Sequence, residues 1–198
     1  MEELLDTIIR NPQLHARFIN TLSYLENCGA RKIARCEHPT LVKEEILKHA
    51  AEEFRHAHYL KRQIRRVSNE LINDYTLPFL LGGYATIFYL HRLDALICRH
   101  LKRGAHCNER EITQRAYLLV SYAIEVRAES FYPFYHQILK KQKSPITVRS
   151  IIVEESEHLE EMKRGILKFD PQFSLAKEAV KLEEGLFQQW IASLRKEV

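Results

Sequence analysis

The sequence predicts an all-α bundle. Four long helices form two helical hairpins, joined by a long crossover that holds a helix of its own and followed by one more helix at the carboxyl terminus. Three observations predict it. Apolar residues recur at helical spacing, and no segment alternates convincingly as a strand. The chain has only six Gly and six Pro, so long uninterrupted segments are expected. Finally, EEFRHAHYLKRQI at 52–64 and EESEHLEEMKRGI at 154–166 align without gaps. That repeat relates the second helices of the two hairpins, so a single domain, 1–198, is built of two halves.

Each element has a local reason. Asn11-Pro12 starts the first long helix, because Asn caps free amides and Pro sits where no amide donor is needed. That helix is expected over 12–35, with Glu37-His38-Pro39-Thr40 as the turn. A second long helix is expected over 41–71 and is broken by 73–78. The apolar, aromatic segment 79–101 reads as the crossover helix, and 104–108 as a loop. A third long helix is expected over 109–141, bent by Pro133. Lys143-Ser144-Pro145 makes the next turn, and a fourth long helix covers 146–169. Asp170-Pro171 ends it, and a last helix fills 174–196.

Composition narrows the function. A chain of 198 residues, 45% hydrophobic and 28% charged, is long enough to bury a full core. The net charge is +4 with no long run of one sign, which argues against nucleic acid. Lys61, Arg62, Arg65 and Arg66 are the densest basic stretch and read as a solvated helix face. Cys28, Cys36, Cys98 and Cys107 form no C-x-x-C and no disulfide framework, so reduced thiols in a cytoplasm are expected. The start, MEELLDTIIRNPQ, is acidic and polar, and no signal peptide is expected in it. The longest uncharged run, Thr76 to Leu90, is shorter than the roughly twenty residues that span a bilayer, so no membrane partner is expected.

The repeat carries the chemistry. In both copies a Glu is followed three residues later by His: Glu53 with His56, and Glu155 with His158. That spacing puts carboxylate and imidazole on one helix face, a turn apart. The first long helix has Glu26 beside its apolar stripe. The third has Glu125 and Glu129 on a line with Leu118, Tyr122, Tyr132 and His136. A carboxylate on an inward face is costly unless something positive lies opposite. Counting from the turns at 1.5 Å per residue brings Glu26, Glu53 and Glu155 to similar heights. Glu129 fits that level better than Glu125.

Here the chain resembles the ferritin-like diiron-carboxylate superfamily, over about residues 12–169. Its pattern is Glu, then Glu-x-x-His, then Glu, then Glu-x-x-His, one set per helix. The resemblance implies a ferritin-like four-helix bundle with Glu26, Glu53, His56, Glu125 or Glu129, Glu155 and His158 as metal ligands. It implies two Fe ions, with Mn or a mixed Fe/Mn pair also suited to these donors. The paired acid on the third helix departs from the pattern, and one of the two would be an extra or supporting group. A non-haem diiron oxidase or oxygenase is the expected function, with O2, a small-molecule substrate and an electron donor as partners and a homodimer as one assembly. The alternatives are a ferroxidase that stores iron in a hollow shell and a metal-free helical interaction protein.

Other residues have plainer readings. His91, His100 and His106 read as surface or core histidines, and His58 should point away from the site. His49, one turn before Glu53, is placed to hydrogen-bond a ligand, and His136 to support one. Tyr24, Tyr122 and Tyr132 lie near the expected metal level, where an aromatic core role is the simpler one. Phe79, Phe88, Phe131 and Phe134 could line an apolar substrate pocket, although ordinary packing accounts for them. Glu52 and Glu154 are expected to face solvent or a neighbouring helix.

Overall fold

A computed structural model describes residues 1–38, 40–104 and 108–198, and among them every regular element is helical. Pro39 of the expected turn, most of the expected 104–108 loop, His106 and Cys107 lie outside the described residues. There are seven α-helices: α1 (Glu2–Arg10), α2 (Pro12–Cys36), α3 (Glu44–Gln63), α4 (Gly83–Gly104), α5 (Glu109–Lys141), α6 (Arg149–Leu167) and α7 (Ser174–Leu194). α2 packs on α3 and α5 on α6, which are the two expected hairpins. α4 and α7 pack on each other and on α5, and α4 also reaches α2. They form a second layer over the seam between α2 and α5. Among the described residues no helix is long and apolar enough to cross a membrane.

The caps explain several boundaries. Asn11 accepts from the amides of Gln13 and Leu14, at 3.0 and 3.1 Å, and Pro12 follows it. Asn108 and Glu111 form a reciprocal capping box at the start of α5. α5 continues through Pro133 as one helix. Buried Asp170 accepts from the amides of Ser174, Leu175 and Ala176, so the residue that stops α6 also starts α7. Gly82 and Gly83 both have positive φ, 78° and 51°, where the chain turns sharply into α4.

The structure adds one helix to the sequence reading and moves several boundaries. α1 is a helix, because Leu4, Leu5, Ile8 and Ile9 form one buried face in a segment that is otherwise acidic and polar. α3 begins at Glu44 rather than 41, because His38 Nδ1 accepts from the amides of Thr40 and Leu41 in a turn. It ends with a 3-10 turn at Ile64–Arg66 rather than running to 71. There the amides of Val67 and Ser68 both donate to the carbonyl of Ile64, and Ser68 Oγ accepts from Glu70. The helices expected from 79, 146 and to 196 start and stop a few residues inside those limits, at Gly83, Arg149 and Leu194.

Candidate metal centre

The bundle brings seven buried or half-buried groups to one level. Two overlapping sets have ligand atoms within 4.8 Å of one another: His49, Glu53, Glu125 and His158, and Glu26, Glu53, His56 and Glu155. Glu53 belongs to both. Oxygen and imidazole donors at such spacing could hold a metal ion. His56 Nδ1 lies 3.1 Å from Glu155 Oε1, and His158 Nδ1 lies 3.5 Å from Glu53 Oε1. His49 Nε2 lies 3.1 Å from Glu125 Oε1 and 3.5 Å from Glu53 Oε1, with Tyr117 Oη beside its Nδ1.

The strongest structural sign is what these atoms lack. Glu53 Oε1, His56 Nδ1, Glu125 Oε2, Glu155 Oε1 and His158 Nδ1 are all buried without a hydrogen-bond partner among the described residues. Buried polar atoms are almost always paired, because leaving one unpaired costs about 1–3 kcal/mol. Five such atoms in one cluster fit a cation between them.

The two histidines are turned by the opposite motif. His158 Nε2 donates to Glu52 Oε2 at 2.7 Å, and His56 Nε2 donates to Glu154 Oε2 at 2.8 Å. An ionised carboxylate only accepts, so a proton sits on Nε2, and Nδ1 is the nitrogen that faces the cluster and can take a cation in place of a proton. Arg55 lies beside both acceptors, and with His56 it holds the Glu154 carboxyl below its usual range. Its Nη2 lies 2.6 Å from Glu154 and 3.7 Å from Glu52. The first Glu of each Glu-Glu doublet therefore serves the histidine of the other copy.

Without a cation the acids oppose one another. Burial, then the charges of Glu53 and Glu155, pushes Glu26 well above the usual carboxylate range. Burial and Glu155 do the same to Glu125. Burial also acts to raise Glu155, but the neighbouring Glu125, His158 and His56 outweigh it and hold that carboxyl low. Burial acts to lower His158 and is outweighed by Glu155 and Glu52, so the imidazole is raised to about 9. Tyr132 donates to Glu26 Oε1, and its own hydroxyl is held well above its normal range by burial and by Glu26.

The structure thus gathers Glu26, Glu53, His56, Glu125, Glu155 and His158. It does not bring in Glu129, which is exposed. Glu125, Ala128 and Tyr132 line one stripe of α5 toward the cluster, and Glu129 lies a step of about 100° round the helix from Ala128. The expectation that Glu129 fits better is corrected for that reason. His49 is more than a supporting group: it is part of the cluster. Its counterpart in the repeat is Ile151, so the repeat gave it no support. His136 lies outside the cluster, near Lys140 and Arg149, and His58, His91 and His100 are exposed. Of the aromatics named from sequence, Tyr132 and Phe131 line the cavity described next. Phe88 is exposed, and Tyr122 packs on Phe173.

A cavity adjoins the cluster, with about 100 Å³ open to the centre of a water-sized sphere. It runs along the α2–α5 seam under α4 and α7. Glu26, His49, Glu53, Glu125 and Glu155 line its inner end, while His56 and His158 lie behind them. No protein-family model, curated protein or solved structure matches the chain.

Proposed function

We propose that the chain is a non-haem dimetal oxidase or oxygenase that uses O2 on a small organic substrate. The observation that carries this reading is the pair of Glu/His sets sharing Glu53, with five unpaired buried atoms between them and an apolar cavity on their carboxylate side. Two ions are favoured by charge: Glu26, Glu53, Glu125 and Glu155 carry four negative charges when ionised, which two divalent cations balance. Iron suits the mixed carboxylate and imidazole donors, and manganese or an Fe/Mn pair suits them too. When bound, such a pair supplies the electrons that reduce O2 and the oxidising power directed at the substrate.

The chain's own residues do the rest. Glu53 spans the two sets from α3. Glu52 and Glu154 fix which nitrogen of His158 and His56 is free. Tyr132 keeps its proton on the hydrogen bond to Glu26, holding that carboxylate toward α5. Tyr89, Leu90, Phe187 and Trp190, from α4 and α7, cover the outer side of the cavity and limit water there. A walled organic cavity favours this reading over iron storage, which needs only a path for ions.

The test is anaerobic Fe(II) titration of the metal-free protein, followed by exposure to O2 with optical and oxygen-electrode detection. The expected result is two ions per chain, both oxidised on O2 exposure, in particles of one or two chains. A protein that takes up no iron, or whose iron is inert to O2, contradicts the proposal. A large hollow particle filling with iron oxide would favour storage.

A further inference from the structure

We propose that the cavity beside the Glu/His cluster binds a small, neutral, apolar molecule no larger than about one aromatic ring or a short alkyl chain. This deepens the reading above: the cavity's role as substrate chamber rests on that reading, whereas its capacity to bind such a molecule does not.

Size sets the upper limit. The cavity offers about 100 Å³, and an apolar engineered cavity of about 150 Å³ in another protein takes up benzene. A nucleotide, or a fatty chain with its head group, does not fit that space. The walls set the polarity. Leu25, Leu90, Val120, Ile124, Phe131 and Phe187 give an apolar surface from α2, α4, α5 and α7.

Charge sets the rest, because both cations in the wall are already engaged. Lys32 Nζ lies 2.5 Å from Asp94 Oδ1, across α2 and α4. Arg127 makes a forked pair with Glu183, at 3.0, 3.1 and 2.8 Å, and also meets Glu184. Glu183 is buried, and its remaining capacity is taken by the Tyr89 hydroxyl. The Trp190 Nε1–H donates to Thr86 Oγ1 at 2.8 Å. An anionic head group would enter a space whose cations are neutralised and whose inner end is four acidic side chains. It would lose its hydration with nothing to replace it. A cationic ligand meets the same apolar wall. A neutral apolar molecule loses only water contacts, and its burial is favourable in proportion to the area covered.

The location makes the occupant relevant to the cluster. The cavity ends on Glu26, Glu53, Glu125 and Glu155, on the side away from His56 and His158. A ring seated there lies against the face of the cluster that protein side chains leave open.

The test compares benzene with benzenesulfonate, a ring of the same kind carrying a fixed negative charge and a weak metal ligand. Both are titrated into the metal-free and the Zn(II)-loaded full chain, followed by calorimetry and by thermal shift. The expected result is one saturable benzene site per chain in both forms, with benzenesulfonate at least tenfold weaker. Ala128→Leu adds three heavy atoms to the wall and should abolish benzene binding with Zn(II) uptake unchanged. Ile124→Phe is a second filling variant if the first does not fold. Benzenesulfonate binding as tightly as benzene, or benzene binding undiminished in a folded filling variant, overturns the proposal. Benzene bound by a chain that takes up no metal supports the proposal and removes the dimetal reading. Two ions bound with no benzene site does the reverse.

Discussion

At the scale of single residues, Glu52 and Glu154 decide how the cluster presents its imidazoles. Each accepts the Nε2 proton of a histidine from the other copy of the repeat, and Arg55 pairs with both. Groups in that position orient a ligand without touching the ion, and their loss weakens metal binding by about 10- to 100-fold. Glu154→Ala should therefore lower Zn(II) affinity by that factor while two ions still bind at saturation. Unchanged affinity in a competition assay would show that Glu154 has no such role. The sequence showed the Glu-Glu doublet twice but not its use, because the contact runs between helices about a hundred residues apart. His15 makes a second residue-scale case. It is buried against Tyr135 Oη at 2.8 Å, and burial holds its pKa at about 4. The folded state keeps it neutral while the unfolded chain protonates near 6.5. Its contribution is thus present above pH 6.5 and lost as pH falls toward 4, by at most about 3 kcal/mol. His15→Gln stays neutral throughout. In denaturant unfolding its stability should fall less than the wild type's between pH 7 and 4, and parallel falls would contradict the assignment.

At the scale of helices, packing explains both what was legible and what was not. The two hairpins were readable because caps and turns lie where the periodicity ends, as at Asn11, Asn108 and Asp170. The choice between Glu125 and Glu129 was not readable from turn counting. The two differ by about 6 Å along the axis, but they also point about 40° apart, and the face decides. α5 touches α1, α2, α4, α6 and α7, so several of its faces are buried and no single apolar stripe marks the inward one. His49 was visible on the right face of α3, yet Ile151 in the other copy gave no pattern to support it. Glycines test the same packing. Gly185 lies exposed in α7 with nothing within 4 Å of an added Cβ, so Gly185→Ala should stabilise by about 0.5–1 kcal/mol. Gly165 in α6 faces Leu118, whose Cδ2 would lie 2.8 Å from a new Cβ. Gly165→Ala gains the same helix propensity but must move Leu118, so its stabilisation in urea unfolding should be smaller or reversed. Equal gains at both sites would show that α5 and α6 are not this close.

At the scale of the whole molecule, the bundle is a frame that gathers acidic groups in its interior, where a bound cation would relieve them. A ligand that binds only the folded state stabilises it by about 2.7 kcal/mol per site at one hundred times its Kd. Zn(II) loading should therefore raise the unfolding temperature, chelation should return it, and Glu53→Ala, which removes the shared carboxylate, should remove most of the effect. The second layer, α4 and α7, was expected as a crossover and a final helix. Its role as the roof of a cavity beside the cluster became visible only once Leu90, Phe187 and Trp190 were placed against α2 and α5. The most direct test of the central claim is the anomalous scattering of crystals of the metal-loaded protein. The account predicts two peaks on either side of Glu53, one among His49, Glu125 and His158 and one among Glu26, His56 and Glu155. No peak there, or metal found only on the surface of the bundle, would contradict it.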